Sequence, residues 1–272
     1  MITSRNIKLN LPPSPPKLPI IGNLHQIGRL PHRSFHSLAR KHDPIMLLYV
    51  GQTPTVIVSS VDAAKEVIKI QDLNFCNRPR TSIAERLVYS YKDLAFSPYG
   101  KYWKEVRKIC VLQLLSGQRV ESFKKIREEE ANLIIDKIHE CCATVNFGEI
   151  IYTFTNNVVC RATIGRKFGA DEGDKNVLIT EFMDLLGVVN IADYIPWLSM
   201  MNKFNGLNAR VEKNFKGLDC FLDSVIEEHI DPKKKTKDSG EKIEDFVDVL
   251  LGMDDSTNRV SLARDNIKAL IL

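Results

Sequence analysis

Trp103 and Arg107 are the residues of this sequence whose types and spacing most directly indicate chemistry. They are four positions apart, so on a helix they lie one turn from each other on the same side. The indole N–H and the guanidinium are hydrogen-bond donors only, and the guanidinium keeps its charge at neutral pH. Two such donors at the edge of an apolar face suit a flat apolar ligand that carries carboxylates, such as a haem with its propionates.

The stretch from Phe96 to Cys110 must form the helix that positions these two side chains. Ser97 is predicted to cap the helix and Pro98 to occupy its first position. The 3.6-residue period predicts one apolar face, made by Tyr99, Tyr102, Trp103, Val106, Ile109 and Cys110. The opposite face, in water, carries Lys101, Lys104 and Lys108. Periodicity alone favours an ordinary amphipathic helix with a core tryptophan and a rim arginine.

The block from Ser97 to Cys110, SPYGKYWKEVRKIC, resembles the C helix of plant microsomal cytochrome P-450 enzymes, the haem-thiolate monooxygenase family. WxxxR by itself matches many helices, but within this longer block it is specific. The resemblance implies that Trp103 and Arg107 bind the haem propionates. It covers nearly the whole chain, but only the N-terminal half of the family. The implied fold is mainly α with a small β-hairpin or sheet: an incomplete cytochrome P-450 fold with roughly helices A to H and the start of helix I.

Two regions are predicted along the chain. Residues 1–30 form an N-terminal segment whose prolines resemble the hinge of the family, without a membrane anchor; residues 31–272 form the N-terminal half of the monooxygenase domain, truncated at the entrance of the I helix. Predicted elements include a helix over 31–42, a hairpin of 45–50 with 55–59, a helix over 61–70 capped by Ser59, and helices over 118–142, 177–189 and 204–229.

Composition excludes several classes of protein. The 38 basic and 34 acidic residues give a net charge of only +4, which predicts no nucleic-acid partner. The six cysteines contain no CxxC pair, so they are expected to be reduced and mostly buried. Two groups of residues raise the question of a metal site: the histidines that lie close together in sequence (His25, His32, His36 and His42) and the triplet Glu128–Glu130. Both groups are expected to lie on solvated helix surfaces, so no metal ligand is predicted.

The resemblance also implies which surfaces meet other molecules. The loop before the C helix lines the substrate pocket in this family, so Ile83, Leu87, Val88 and Phe96 are predicted pocket walls, with simple packing under the loop as the alternative. Lys101, Lys104 and Lys108 are expected to face an NADPH-dependent cytochrome reductase. The segment Ile191–Leu198 resembles the F–G region, so Trp197, Leu198, Met200 and Met201 either touch the membrane surface or cover the core.

The parts that perform the family's reaction are not found in this sequence. None of its cysteines has the Phe-x-x-Gly and Gly flanks of the iron ligand, and the acid–alcohol pair and Glu-x-x-Arg are absent, so no catalytic residue is assigned. The expectation is a truncated monooxygenase, inactive alone. Its full-length relative would hydroxylate a small lipophilic plant metabolite with haem, O2 and NADPH-derived electrons, on the cytosolic face of the endoplasmic reticulum membrane. Without the anchor, this chain is alternatively cytosolic. The alternative function is a non-catalytic helical protein that binds a partner or a membrane surface.

Overall fold

The computed structural model describes residues 10–140, 144–167, 173–198, 206–231, 244–253 and 262–272. They belong to two compact units: Met1–Asn77 with Val189–Asn208, and Arg78–Val188 with Ala209–Leu272. Within the described ranges the chain is mainly helical and carries one two-stranded antiparallel sheet. This confirms the predicted fold class. No helix in these ranges is both long and apolar enough to cross a bilayer.

The first stretch of the first unit is organised around a hairpin. A 3-10 turn, Leu24–Gln26, precedes helix α1 (Pro31–Ala39). Strands β1 (Ile45–Val50) and β2 (Thr53–Val58) pair with Ile45 opposite Val58 and Val50 opposite Thr53, as the hairpin prediction requires. Helix α2 (Val61–Lys65) continues as a π-helical turn over Glu66–Ile70 and is followed by α3 (Asp72–Phe75). The cap of α2 is Ser60, which accepts the Ala63 N–H at 3.3 Å, so the prediction of Ser59 was wrong by one residue.

A buried side-chain amide and a backbone hydrogen bond hold the proline-rich stretch to the hairpin. Asn23 is fully buried; its side-chain oxygen accepts the Tyr49 N–H at 2.8 Å, and its side-chain nitrogen donates to the Pro16 carbonyl at 3.1 Å. The Leu47 N–H donates to the Pro13 carbonyl at 2.9 Å. Because prolines have no N–H of their own to offer, the segment uses its carbonyls to dock on the fold.

The second unit begins with α4 (Ser82–Leu87), a helix inside the stretch that the sequence predicts as a loop. Helix α5 (Lys101–Ile109) continues as a π-helical turn, Cys110–Leu114, and is followed by α6 (Gly117–Ser122), α7 (Lys124–Glu140), α8 (Phe147–Ile164) and α9 (Gly173–Leu186). The single helix predicted over 118–142 is therefore two helices as far as Glu140, and residues 141–142 lie outside the described ranges.

The remaining elements complete both units. A short helix α10 (Ile191–Tyr194) and a 3-10 turn, Pro196–Leu198, belong to the first unit. The long α11 (Leu207–Ile230), α12 (Phe246–Leu251) and α13 (Arg264–Ile271) follow, and from Ala209 onwards they belong to the second. The core of the second unit joins α5 and its π-helical turn to these last three helices through Val106, Ile109, Cys110, Leu114, Ile226, Leu250 and Ile267.

Glu130 on α7 corrects the expectation of a solvated acidic triplet. Its side chain is 2% exposed, and it accepts hydrogen bonds from Arg161 and Lys167, both at 2.7 Å, and from Asn157 at 3.1 Å. Burial alone would raise the pKa of this carboxyl, but the hydrogen bonds from Lys167, Arg161 and Asn157 lower it below its usual value. Glu130 is therefore an ionised carboxylate that ties α7 to α8.

Candidate functional site

Helix α5 is fixed in rotation by Tyr102. The Tyr102 hydroxyl donates to the Lys92 carbonyl at 2.6 Å and accepts the Asn266 side-chain N–H at 2.9 Å, which ties α5 both to the stretch before it and to α13. The helix begins at Lys101 with Gly100 as its N-cap, three residues later than the predicted cap at Ser97. Ser97 is instead buried in the turn that leads into the helix.

The indole N–H of Trp103 is already hydrogen-bonded within the protein. It donates to the Leu94 carbonyl at 3.1 Å, and the ring packs against Tyr99 with 5.4 Å between centroids. Trp103 is half-buried. In this arrangement the indole holds α5 to the preceding turn and does not offer its N–H to a ligand.

The turn that accepts this bond is built on a buried carboxyl. Asp93 is 6% exposed, and its Oδ2 accepts the N–H groups of Ala95 and Phe96 at 2.8 and 2.9 Å. Its Oδ1 is buried without a hydrogen-bond partner among the described residues. Desolvation by burial raises the pKa of Asp93, against the two backbone hydrogen bonds. Asp93 was not predicted from the sequence, although an aspartate two or three residues before amide groups in a turn is a recognisable signal.

Arg107 is the open donor of the pair. Its guanidinium carbon lies 4.9 Å from the centroid of the Trp103 ring, a distance at which a cation is attracted to the aromatic face. The residue is exposed, and no carboxylate of the described ranges pairs with it. The stacked ring restricts the guanidinium while leaving its N–H groups available to an anion.

The predicted pocket walls occupy two environments. Ile83, Leu87 and Val88 are buried at 4%, 0% and 2% exposure, on or directly after α4, whereas Phe96 is half-buried. The helix was missed, although Ser82 and Glu85 have the spacing of a capping box; the observed cap is Thr81, which accepts the Ala84 N–H at 3.3 Å. Contact of these four side chains with a substrate stays a prediction.

A charged network lies beside α4 and was also missed. Lys268, 4% exposed, donates to Asp219 at 2.6 Å and to Asp223 at 2.8 Å, and the Tyr89 hydroxyl donates to Asp219 at 2.8 Å. Tyr89, Ser90 and Tyr91 all have positive φ, between 53° and 63°, which is strained for residues with a side chain. Tyr89 is part of both features, so its bond to Asp219 helps to hold the strained turn in place.

One cluster of ligand-type side chains within the described ranges joins α11 to α12. The ligand atoms of His229, Asp245 and Asp248 all lie within 4.8 Å of one another. Both His229 nitrogens are engaged, Nδ1 with the Val225 carbonyl at 2.7 Å and Nε2 with Asp245 at 2.9 Å. The hydrogen bond to Asp245 raises the pKa of His229 against the opposing effect of burial. The geometry is that of an ion pair between an imidazolium and the carboxylate that caps α12.

The three lysines of α5 are exposed, as predicted. Lys104 Nζ lies 4.8 Å from the centroid of the Tyr99 ring, and Lys101 and Lys108 have no ion-pair partner within the described ranges. Together with Arg107 they form a basic surface on the side of α5 that faces away from the core cluster.

Comparison with known proteins decides the family. A sequence model of the Cytochrome P450 family matches residues 12–272. The chain belongs to the cytochrome P450 family. It is 46% identical over 272 residues to Cytochrome P450 736A117 of Prunus mume, with 97% of this chain and 52% of that protein covered. It is 43% identical to the strychnine-11-hydroxylase of Strychnos nux-vomica, with 96% and 52% covered.

The fold comparison agrees. A zebra fish cytochrome P450 solved with progesterone superposes with a TM-score of 0.64 at 19% identity, covering 90% of this chain and 55% of that one. At this identity the likeness shows the P450 fold alone. The chain spans about half the length of the first curated relatives that it matches, and the match to the N-terminal half confirms the prediction.

Haem is the cofactor of the cytochrome P450 family, and the residues present fit it in part. Arg107 has the charge and exposure that a propionate needs, and its donors have no carboxylate partner among the described residues. The Trp103 N–H would first have to leave the Leu94 carbonyl. Burial raises the pKa of the Cys110 thiol, and burial raises that of Cys160 to about 11, so neither is a thiolate at neutral pH. The described residues therefore include an exposed guanidinium whose charge suits a propionate, and these two buried cysteines are unsuited to ligate iron.

Proposed function

We propose that this chain is part of a haem-thiolate monooxygenase that hydroxylates a small lipophilic plant metabolite. In this proposal Arg107 anchors a haem propionate. The observation that carries the proposal is the exposed guanidinium stacked on Trp103, without a carboxylate partner in the described ranges. One relative is named as a hydroxylase of strychnine. Its similarity to this chain supports hydroxylation of a small lipophilic molecule as the proposed reaction.

Each side chain near α5 has a distinct part in this proposal. When bound, the haem supplies the activation of O2. Arg107 neutralises one propionate and orients it through charge-assisted hydrogen bonds. Trp103 supports the guanidinium through its ring and fixes the start of α5 through its bond to Leu94. Asp93 holds the turn that presents the Leu94 carbonyl.

We also propose that the 272-residue chain does not catalyse hydroxylation by itself. Its six cysteines lack the flanks of the family's iron ligand, and the two buried ones with raised pKa values are neutral thiols. Haem bound by Arg107 alone would then show no thiolate band in the reduced, CO-bound difference spectrum. A clear thiolate band would contradict this proposal.

The propionate anchor is tested by replacing Arg107 with glutamine. Arg107→Gln should weaken haem binding at least about tenfold, because a hydrogen bond to a charged group contributes about 1.5–3 kcal/mol. Lys108→Gln is the matched control, since Lys108 is the neighbouring exposed cation. Haem affinity is measured by absorbance titration of the purified protein. An equal loss in both variants would mean that haem binding depends on general positive charge and not on Arg107.

The partners of the whole enzyme are proposals of the same kind. We propose that Lys101, Lys104 and Lys108 face an acidic surface of an NADPH-dependent reductase, where charge would mainly steer association. We propose residence at the cytosolic face of the endoplasmic reticulum membrane, as the plant relatives suggest. Trp197 is 58% exposed and Leu198 half-buried, so Trp197 remains available for membrane contact; Met200 and Met201 lie outside the described residues.

A second candidate function, binding of a partner without catalysis, is favoured by exposed apolar side chains. Leu112 and Leu115 after α5, and Phe147 on α8, are 57%, 62% and 64% exposed. Apolar side chains at this exposure support association with another surface. The same haem titration separates the two functions, because a purely associative protein would bind haem no better than its Arg107→Gln variant and would self-associate in sedimentation experiments.

A further inference from the structure

The first 42 residues hold an unusual share of the positive charge of this chain. They contain seven lysines and arginines and four of the six histidines, but no aspartate or glutamate. The other 230 residues hold 31 basic and 34 acidic residues, so they are slightly negative. The net charge of +4 therefore conceals a strongly basic N-terminal segment.

Part of this charge lines a groove between the proline-rich stretch and α1. The groove has a volume of about 580 Å³. One wall is formed by Pro15, Pro16 and Gln26, and the other by residues of α1 and the turn after it: Arg33, Ser34, Ser37, Leu38, Lys41 and His42. Arg33 and Ser37 are four residues apart, so they lie on the same side of α1, and Lys41 follows in the turn after the helix. None of the lining residues is acidic.

The polar groups of the groove differ in whether they are already hydrogen-bonded within the protein. Gln26 donates to the Pro16 carbonyl at 2.8 Å, and Ser34 accepts the Gly28 N–H at 2.9 Å, which fixes both walls. Arg33, Ser37 and Lys41 are exposed and have no side-chain partner within the described residues. The Oε1 of Gln26 is buried without a hydrogen-bond partner in the same ranges. Two such cations and a hydroxyl on one wall of the groove are suited to the oxygens of a phosphate group.

Apolar side chains of the same segment point to a lipid surface as the source of that phosphate. Leu11, Leu18, Ile20 and Leu30 are 59%, 47%, 51% and 47% exposed. Ile20 has a φ of 70°, a strained conformation for a β-branched residue, at the tip of a turn closed by hydrogen bonds between Leu18 and Gly22. Exposed apolar residues beside unpaired basic ones are typical of segments that lie at a membrane interface.

We propose that the groove between the proline-rich stretch and α1 binds the phosphate-bearing headgroup of an anionic membrane lipid. Arg33 and Lys41 pair with the phosphate, Ser37 donates a hydrogen bond to it, and the exposed apolar side chains of the segment enter the interface. This site is independent of haem and of the surface of α5, so it stands even where the proposed monooxygenase function fails.

The test is vesicle flotation of the protein with phosphatidylcholine alone and with phosphatidylcholine that contains phosphatidylinositol. Arg33→Gln with Lys41→Gln should weaken binding to the anionic vesicles about 30-fold, since each basic residue near such a surface contributes ~1 kcal/mol. Lys65→Gln with Lys69→Gln is the matched control, because these exposed lysines also belong to the first unit but do not line the groove. The control should weaken binding less than about threefold.

Two further measurements separate the groove from diffuse charge and from free phosphate. Ser37→Glu places a negative charge on the same wall of the groove as Arg33 and Lys41 without removing a cation, and it should abolish the preference for anionic vesicles. Inorganic phosphate should compete with the vesicles for the wild-type protein. Equal losses in the groove and control variants, or equal binding to both kinds of vesicle, would overturn the proposal. Calorimetric binding of inorganic phosphate that leaves vesicle binding intact would overturn the assignment to a lipid.

Discussion

Replacement of Glu130 by glutamine tests whether a single buried carboxylate holds α7 to α8. Glutamine keeps the size of the side chain and one acceptor oxygen but removes the charge. In the wild-type protein the Arg161 guanidinium and the Lys167 ammonium each lie 2.7 Å from the Glu130 carboxylate. In the variant both cations lose this ionised partner. Loss of one partner from a buried ion pair typically costs about 3–5 kcal/mol.

The expected cost here is lower than that range. The Arg161 guanidinium keeps its contact with Glu129 at 2.6 Å, and the Lys167 side chain is 37% exposed, so water can replace part of what it loses. We therefore expect Glu130→Gln to lower the free energy of unfolding by about 2 kcal/mol. In urea this is a shift of the midpoint by about 1 M or slightly less, at the slopes usual for a protein of this size.

The matched control is Glu128→Gln, on the same helix. Glu128 is exposed and has no partner in the described ranges, so its replacement should change the free energy of unfolding by less than about 0.5 kcal/mol. Both variants are measured by urea unfolding with circular dichroism at neutral pH. Equal stabilities of the two variants would refute the view that Glu130 links the helices.

The pH dependence adds an independent check. The pKa of Glu130 is lowered on folding, so its stabilisation is complete above the unfolded pKa of about 4.5 and is lost as pH falls through the lower folded pKa. The stability gap between wild type and Glu130→Gln should therefore close on acidification. A gap that persists in strong acid would indicate a packing defect in the variant.

Two other predictions concern the ion pair of α11 and the basic surface of α5. Because the pKa of His229 is raised, mainly by its hydrogen bond to Asp245, the stabilisation is complete below the unfolded pKa of about 6.5 and is lost as pH rises through the folded pKa. The melting temperature of wild type should thus fall toward that of His229→Gln between neutral and alkaline pH, and a constant difference in thermal scans would contradict this reasoning. Replacement of Lys101, Lys104 and Lys108 by glutamine should slow association of the haem-loaded enzyme with its reductase about tenfold at low salt. It should also flatten the salt dependence of the association rate measured by stopped flow. A wild-type association rate that is insensitive to salt would exclude steering by these lysines.

Local patterns predicted the elements of this fold well where local physics decides them. Two β-rich runs joined at Gly51 predicted the hairpin, and Gly51 does adopt the positive φ, 60°, that a tight turn requires. The apolar spacing that predicted a helix over 204–229 matches α11 at Leu207–Ile230 to within a few residues at its start and one at its end. The exact ends of the helices were less predictable. Ser59 and Ser60 are both residues that can cap α2, and only the backbone conformation shows that Ser60 is the cap.

Partners distant in sequence decided what local patterns could not. Glu128 to Glu130 look alike in sequence, yet Glu130 is buried because Arg161 and Lys167, more than thirty residues later, reach it. Helix α4 was predicted as a loop. Three buried residues assigned to the pocket were therefore placed in that loop: Ile83 and Leu87, which belong to α4, and Val88, which follows it.

The sequence by itself determined the family and placed Arg107 one turn after Trp103, at the edge of the apolar face. These follow from residue types and from spacing along one helix, which sequence records directly. Only the tertiary structure decided that the Trp103 N–H is bound to the Leu94 carbonyl and that Arg107 remains the open donor. The physical reason is that a hydrogen-bond donor takes the acceptor that folding brings to it, and that acceptor lies on a turn whose shape depends on the burial of Asp93.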